Sequence, residues 1–119
     1  GGLPIGKTRV PVRGMAGVYR SYRLFYLSRG GQESLFLSIE EEPSGRYFRT
    51  YSLGRLLRVL TPRIEVEAGG DVIVTHQTSP KRITRSVLKS DKDGVSLMDQ
   101  KYKRLKGYVG ADGRWKTDD

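Results

Sequence analysis

Two residue types with complementary chemistry are interleaved between positions 19 and 51. Tyr19, Arg20, Tyr22, Arg23 and Tyr26 are followed by Arg46, Tyr47, Phe48, Arg49 and Tyr51. A guanidinium is a planar fork of donors that fits a phosphate bidentately, and an aromatic ring offers a face on which a base can stack. On one wet side of a sheet, such arginines would grip a nucleic-acid backbone while the rings hold bases. Each stack is worth about 1–3 kcal/mol whatever the base, which suits single strands. Arg20, Arg23, Arg46 and Arg49 are therefore the expected phosphate ligands, and Tyr22, Tyr26, Tyr47 and Tyr51 the expected stacking rings. The competing use of the same residues is internal: Tyr and Phe cover a half-buried face, with arginine stems lying along it.

A second cationic group closes the chain. Lys101-Tyr102-Lys103-Arg104-Leu105-Lys106 is followed by Arg114-Trp115-Lys116. Read as a helix, the first run turns Tyr102 and Leu105 inward and leaves Lys103, Arg104 and Lys106 in water, placed to touch a nucleic-acid backbone. Trp115 beside Arg114 is either a further stacking ring or an anchor for the C-terminus. Other chemistries find little purchase. His76 is the sole histidine and sits near the end of an apolar strand, where a structural role is the commoner one. Asp91-Lys92-Asp93-Gly94 starts like a calcium loop but no glutamate closes it. The glycines have turn spacing rather than phosphate-loop spacing. Thr78-Ser79-Pro80-Lys81-Arg82 has the form of a proline-directed phosphorylation site. The expectation is a protein that is not an enzyme, with no cofactor and no metal.

Charge sets the class of partner. The 119 residues carry 22 Lys+Arg against 13 Asp+Glu, a net charge of +9. Basic residues outnumber acidic ones 11 to 7 over residues 1–80 and 11 to 6 beyond, so the excess is not a tail. A domain of this charge implies a polyanion, nucleic acid (DNA or RNA) before an anionic membrane surface. Apolar runs are too short to span a bilayer. The absence of cysteine excludes disulfides and thiolate metal sites. The N-terminal residues do not read as a secretory signal, and an intracellular setting, cytoplasmic or nucleoid/nuclear, is expected.

The elements that must position these residues read as follows. Residues 1–17 form a basic extended arm or an edge strand around Thr8 to Val12, residues 18–116 a single α+β domain, and 117–119 a frayed tail. Val18 to Ser28 and Glu33 to Glu41 are strands joined by Arg29-Gly30-Gly31-Gln32, a two-residue hairpin turn. Glu42-Pro43-Ser44-Gly45 turns into a third strand, Arg46 to Tyr51. Leu53, Leu56, Leu57 and Leu60 then fall at helical spacing after a capping Ser52. Strands over Arg63 to Glu67, Val72 to His76 and Lys81 to Lys89 precede a second helix, Leu97 to Lys106, opened by a capping box at Ser96. Leu35, Leu37, Ile39 and the four helix leucines are the expected core. The fold expected is α+β: a curved antiparallel sheet of about five to seven strands with two short helices, the halves reading as a pseudo-repeat of strand-strand-strand-helix.

The stretch FLSIEEEPSGRYFRTYS with the leucine stripe behind it resembles the strand–Gly-Arg–strand hairpins of PUR-type and whirly-type single-strand-binding domains. The likeness rests on Gly45-Arg46 and the aromatics around it, over roughly a third of the chain. It implies single-strand binding at that hairpin. The rival expectation is a protein-interaction or assembly module of a mobile element or virus, in which the basic surface meets an acidic partner and an edge strand pairs with a neighbouring copy as a homo-oligomer.

Overall fold

A computed structural model describes residues 3–110 and 112–117. The protein is all-β, which overturns the expected α+β class. Sheet A is a meander of β1 (Leu3–Pro11), β2 (Tyr19–Arg29), β3 (Gln32–Glu42) and β4 (Tyr51–Arg55). Sheet B repeats that order with β5 (Arg63–Val66), β6 (Val72–Ser79), β7 (Arg82–Asp91) and β8 (Gly94–Arg104). A short hairpin, β9 (Gly107–Val109) with β10 (Trp115–Thr117), follows. All pairings are antiparallel between chain neighbours, as short loops require. The region expected as a basic arm is, over Leu3–Pro11, the edge strand β1 bonded along β2. Among the described residues no helix is long and apolar enough to cross a membrane.

Neither expected helix forms: the first is a strand end followed by a turn, the second a strand, and the physical reasons differ. Over residues 51–55, Tyr51 and Leu53 face inward while Ser52 pairs with Phe36 on the other side. Gly54 has φ +101°, a value no helix accommodates, and sits where the β3–β4 register slips to let Leu53 bulge inward. Past β4, the amide of Leu56 donates to the Glu33 carbonyl at 2.9 Å and that of Leu57 to the Gln77 carbonyl at 2.8 Å, so the leucine run steps from sheet A to sheet B. Its helical spacing is filled by a strand end and a crossing that turns over residues 58–60.

The second expected helix, Leu97 to Lys106, lies along β8, paired with β7 from Asp91↔Gly94 to Arg82↔Arg104. Val95, Leu97 and Gln100 face sheet A. A bulge opposite Val87 and Leu88 throws Met98 outward. With neither helix present the pseudo-repeat becomes two four-stranded meanders. The third expected strand is also shifted: Tyr47 makes only an isolated bridge to Glu40, and the regular strand begins at Tyr51.

The turns follow their sequence. Gly30 and Gly31, at φ +60° and +78°, supply the two left-handed positions that a two-residue hairpin loop with the twist of its strands demands. Asp91 Oδ1 accepts from the amides of Asp93 at 2.9 Å and Gly94 at 3.2 Å, pinning the β7–β8 turn.

One core joins the two sheets. Val10, Tyr22, Leu24, Leu35, Leu37, Ile39, Tyr51, Leu53 and Leu56 from the first half meet Val72, Val74 and Leu88 from sheet B. The molecule is 19 Å across its thinnest dimension, the depth of two sheets packed about 10 Å apart with side chains outside. Leu35, Leu37 and Ile39 are fully buried, as their alternation required, each burial stabilising by about 1.5–3 kcal/mol. Leu57 and Leu60 are only half-buried.

Candidate nucleic-acid interface

The arginine–aromatic lattice does not form one surface. On β2 the side chains alternate, and Arg20, Tyr22, Leu24 and Tyr26 point toward sheet B while Arg23 points away. Arg20 is only 1% exposed. Its Nε and Nη2 each lie 3.2 Å from Glu41 Oε2, its cross-strand neighbour. Its Nη1 donates to Ser90 Oγ at 2.7 Å, the Asp91 carbonyl at 2.6 Å and the Gly94 carbonyl at 3.1 Å. The guanidinium thus ties sheet A to the β7–β8 turn and has no capacity for phosphate. Tyr22 has no exposed surface, and desolvation raises the pKa of its phenol, with Ser90 and Arg20 opposing. Both residues are removed from the expected site because β2 alternates at period two.

The remaining lattice residues are divided. Tyr51 is buried and donates its hydroxyl to the Val95 carbonyl at 3.1 Å, so it too cannot stack on a base. Tyr26 is half-buried beneath the Arg58 guanidinium, 4.2 Å from its ring centre, which Glu33 holds in place. Arg46 and Arg49 are exposed in the loop before β4 and lie over Phe48 and Tyr51 at 4.4 and 5.0 Å. Tyr47 is 71% exposed, and a hydrogen bond to Glu40 keeps its phenol protonated, raising its pKa. Arg23, outward on β2, sits opposite Lys7 of β1.

The second cationic group gains from being a strand. Along β7 and β8 the rungs are Arg82↔Arg104, Ile83↔Lys103, Thr84↔Tyr102 and Arg85↔Lys101. Two of these four oppose cation to cation, and directly opposed like charges destabilise a ladder. Glu67 lies 3.9 Å from Arg85 and Asp99 3.5 Å from Lys101, but both pairs are largely in water and contribute little. Arg82 approaches the Tyr102 ring to 5.4 Å, and that ring is 64% exposed at the sheet edge although Thr84 beside it is buried. A strand presents Arg82, Tyr102 and Arg104 on one side of this end and Arg85, Lys101 and Lys103 on the other.

Of the expected C-terminal residues, Lys103 and Arg104 belong to this end, and Lys106 is exposed just beyond it. Arg114 and Trp115 lie on the β9–β10 hairpin that follows. The Trp115 ring lies over Gly107, where an added Cβ would meet it at 2.8 Å, so only glycine admits that contact. Arg82, Arg85, Lys101 and Tyr102 were not among the expected site residues. Period-two reading of Gly94 to Arg104 would have found Lys101 and Tyr102, whereas Arg82 and Arg85 join them only through the β7–β8 register.

Because Arg85 and Lys101 oppose each other with only solvent-exposed carboxylates beside them, screening should relieve their repulsion in the free protein. The thermal midpoint is expected to rise from low to moderate NaCl, by an amount that shrinks in Arg85→Gln, each opposed pair contributing about 0.2–1 kcal/mol. A midpoint indifferent to salt would show the pairs to be neutralised already.

His76 is the other polar group set apart. It is 2% exposed on β6, and burial holds its pKa at about 4, the Arg55 backbone opposing the shift in part. Among the described residues no cluster of three or more His, Cys, Asp or Glu is arranged to hold a metal ion. No family model, no curated protein and no solved structure matches the chain.

Proposed function

We propose that the protein binds nucleic acid, single strands by preference, along the β7–β8 end of sheet B. The observation that supports this is the opposition of Arg82 to Arg104 and Arg85 to Lys101 in one ladder. A phosphate backbone following the open β8 edge, between the face that carries Arg82 and Arg104 and the face that carries Arg85 and Lys101, turns repulsion into attraction, because it brings negative charge within reach of both crowded pairs. Tyr102, 64% exposed with Arg82 5.4 Å from its ring centre, is the ring on which a base stacks, and Lys103 and Lys106 extend the track. Trp115 follows in the chain as a second exposed ring.

The test is fluorescence anisotropy with single-stranded DNA, single-stranded RNA and duplex oligomers across a salt series. Affinity for single strands should fall with salt, the log–log slope being about −0.7 per phosphate neutralised. Replacing Arg85, Lys101 and Lys103 together with glutamine should flatten the slope by about 2. Tyr102→Ala should weaken binding about 5- to 150-fold, the loss of one stacked base. Absence of binding at low salt, or binding indifferent to these changes, overturns the reading.

One observation favours a second use of the same end. β8 is an 11-residue edge strand, and its outer backbone groups can receive an extended segment of an acidic partner or of a second copy. Binding of an acidic peptide with no affinity for oligomers would select that alternative.

A further inference from the structure

On the far side of the molecule, the outer face of sheet A holds a small polar cavity of about 140 Å³ lined by Lys7, Ser21, Arg23, Ser38, Glu40, Glu42 and Tyr47. Its floor is two successive rungs of that face: Lys7, Arg23 and Ser38 on one, Arg9, Ser21 and Glu40 on the next. Lys7 and Arg23 are directly opposed cations, and neither has a carboxylate partner among the described residues. The acidic groups of the wall are engaged elsewhere. Glu42 Oε2 accepts from Arg9 Nε at 2.7 Å, and that guanidinium lies 3.7 Å from the centre of the Tyr19 ring. Glu40 accepts the Tyr47 hydroxyl. Two cations and two serine hydroxyls are thereby left facing one confined space.

We infer that this cavity is a site for a single terminal phosphate group. Arg23 and Lys7 supply the charge and the directed N–H donors, and the Ser21 and Ser38 hydroxyls add donors at the floor. The carboxylates decide the ligand class. Glu40, on the rung beside Ser21 and engaged by Tyr47, and Glu42, engaged by Arg9, repel a polyanion that continues past the Lys7–Arg23 rung along this face, whereas a dianionic phosphate that ends at that rung meets the two cations without running along the acids. A phosphomonoester or free phosphate therefore fits, and a phosphodiester does not. This site shares no residue with the β7–β8 end and does not depend on nucleic-acid binding there.

Calorimetric titration with inorganic phosphate, phenyl phosphate and dimethyl phosphate, against chloride at matched ionic strength, tests it. Saturable binding of the first two and none of the diester is expected, weakened tenfold or more by Arg23→Gln and by Lys7→Gln. Arg23→Lys, which keeps the charge, should retain part of the affinity, and Lys89→Gln, an exposed cation outside both sites, should leave it unchanged. Tighter binding of phenyl phosphate points to the end group of a larger molecule, and tighter inorganic phosphate to the free anion; either supports the site. Diester binding as tight as monoester, a response no greater than chloride, or affinity unmoved by Arg23→Gln in folded protein overturns it.

Discussion

Arg20→Ala is expected to destabilise the fold by about 3–5 kcal/mol, the cost of leaving a buried charge without its partner. Glu41, 8% exposed on the neighbouring strand, would keep its carboxylate but lose both hydrogen bonds from the guanidinium. Ser90 Oγ and the carbonyls of Asp91 and Gly94 would lose their donor at the same time. The Phe48 ring, 5.0 Å from the guanidinium, would lose a covering cation. Against a total stability of about 5–15 kcal/mol for a domain this size, that loss is large. Replacing both partners by apolar or neutral residues (Arg20→Met with Glu41→Gln) should recover a good part of it, because no charge is then stranded. Urea denaturation of the single and double variants measures both effects. A loss below about 1 kcal/mol for Arg20→Ala would mean that water already reaches the pair.

The second large effect is a fall in stability on acidification, driven by His76. Its pKa in the folded protein is about 4 against 6.5 for an unperturbed imidazole, because the 2%-exposed ring cannot take up charge without losing hydration. Between these values the unfolded chain binds a proton that the folded one does not, so acid favours unfolding. The contribution is intact above about pH 6.5 and is lost progressively as the pH falls toward about 4, reaching roughly 3 kcal/mol. Carboxylates add to acid unfolding mainly at the lower end of that range, so the interval from about 6.5 to about 5 isolates the imidazole. Denaturation midpoints of wild type and His76→Gln should converge as the pH drops, since glutamine cannot titrate. Parallel curves for the two proteins would place the ring in contact with water.

The hairpins were open to reading because their determinants are local. Gly30-Gly31 supplies two left-handed residues in succession, and the alternation of Leu35, Leu37 and Ile39 has a single period compatible with it. The strands at Arg63, Val72 and Arg82 were found for the same reason, their boundaries shifting by a few residues. Failure came where two periodicities overlap in a short window. Leu53, Leu56, Leu57 and Leu60 match a helix and match equally a bulged strand end leading into a crossing, and a helix of that length has little stability of its own to decide the matter. Tyr102 and Leu105 were assigned an inward face on a helix that β7 pre-empts by offering ten rungs of backbone pairing.

The site followed the same division. Composition and order alone determined that this is a strongly cationic chain, that its arginines travel with aromatic rings, and that its turns build antiparallel hairpins. Which guanidinium faces water was settled only when the two sheets closed on each other. An odd offset of three residues on β2 puts Arg20, locked against Glu41 in the interior, and Arg23, outward beside Lys7, on opposite faces. The crowding of Arg82 on Arg104 and Arg85 on Lys101 likewise exists only in the β7–β8 register, between residues 16 to 22 positions apart in the chain. Side-chain type is a local property, whereas burial and like-charge opposition depend on which strand lies alongside.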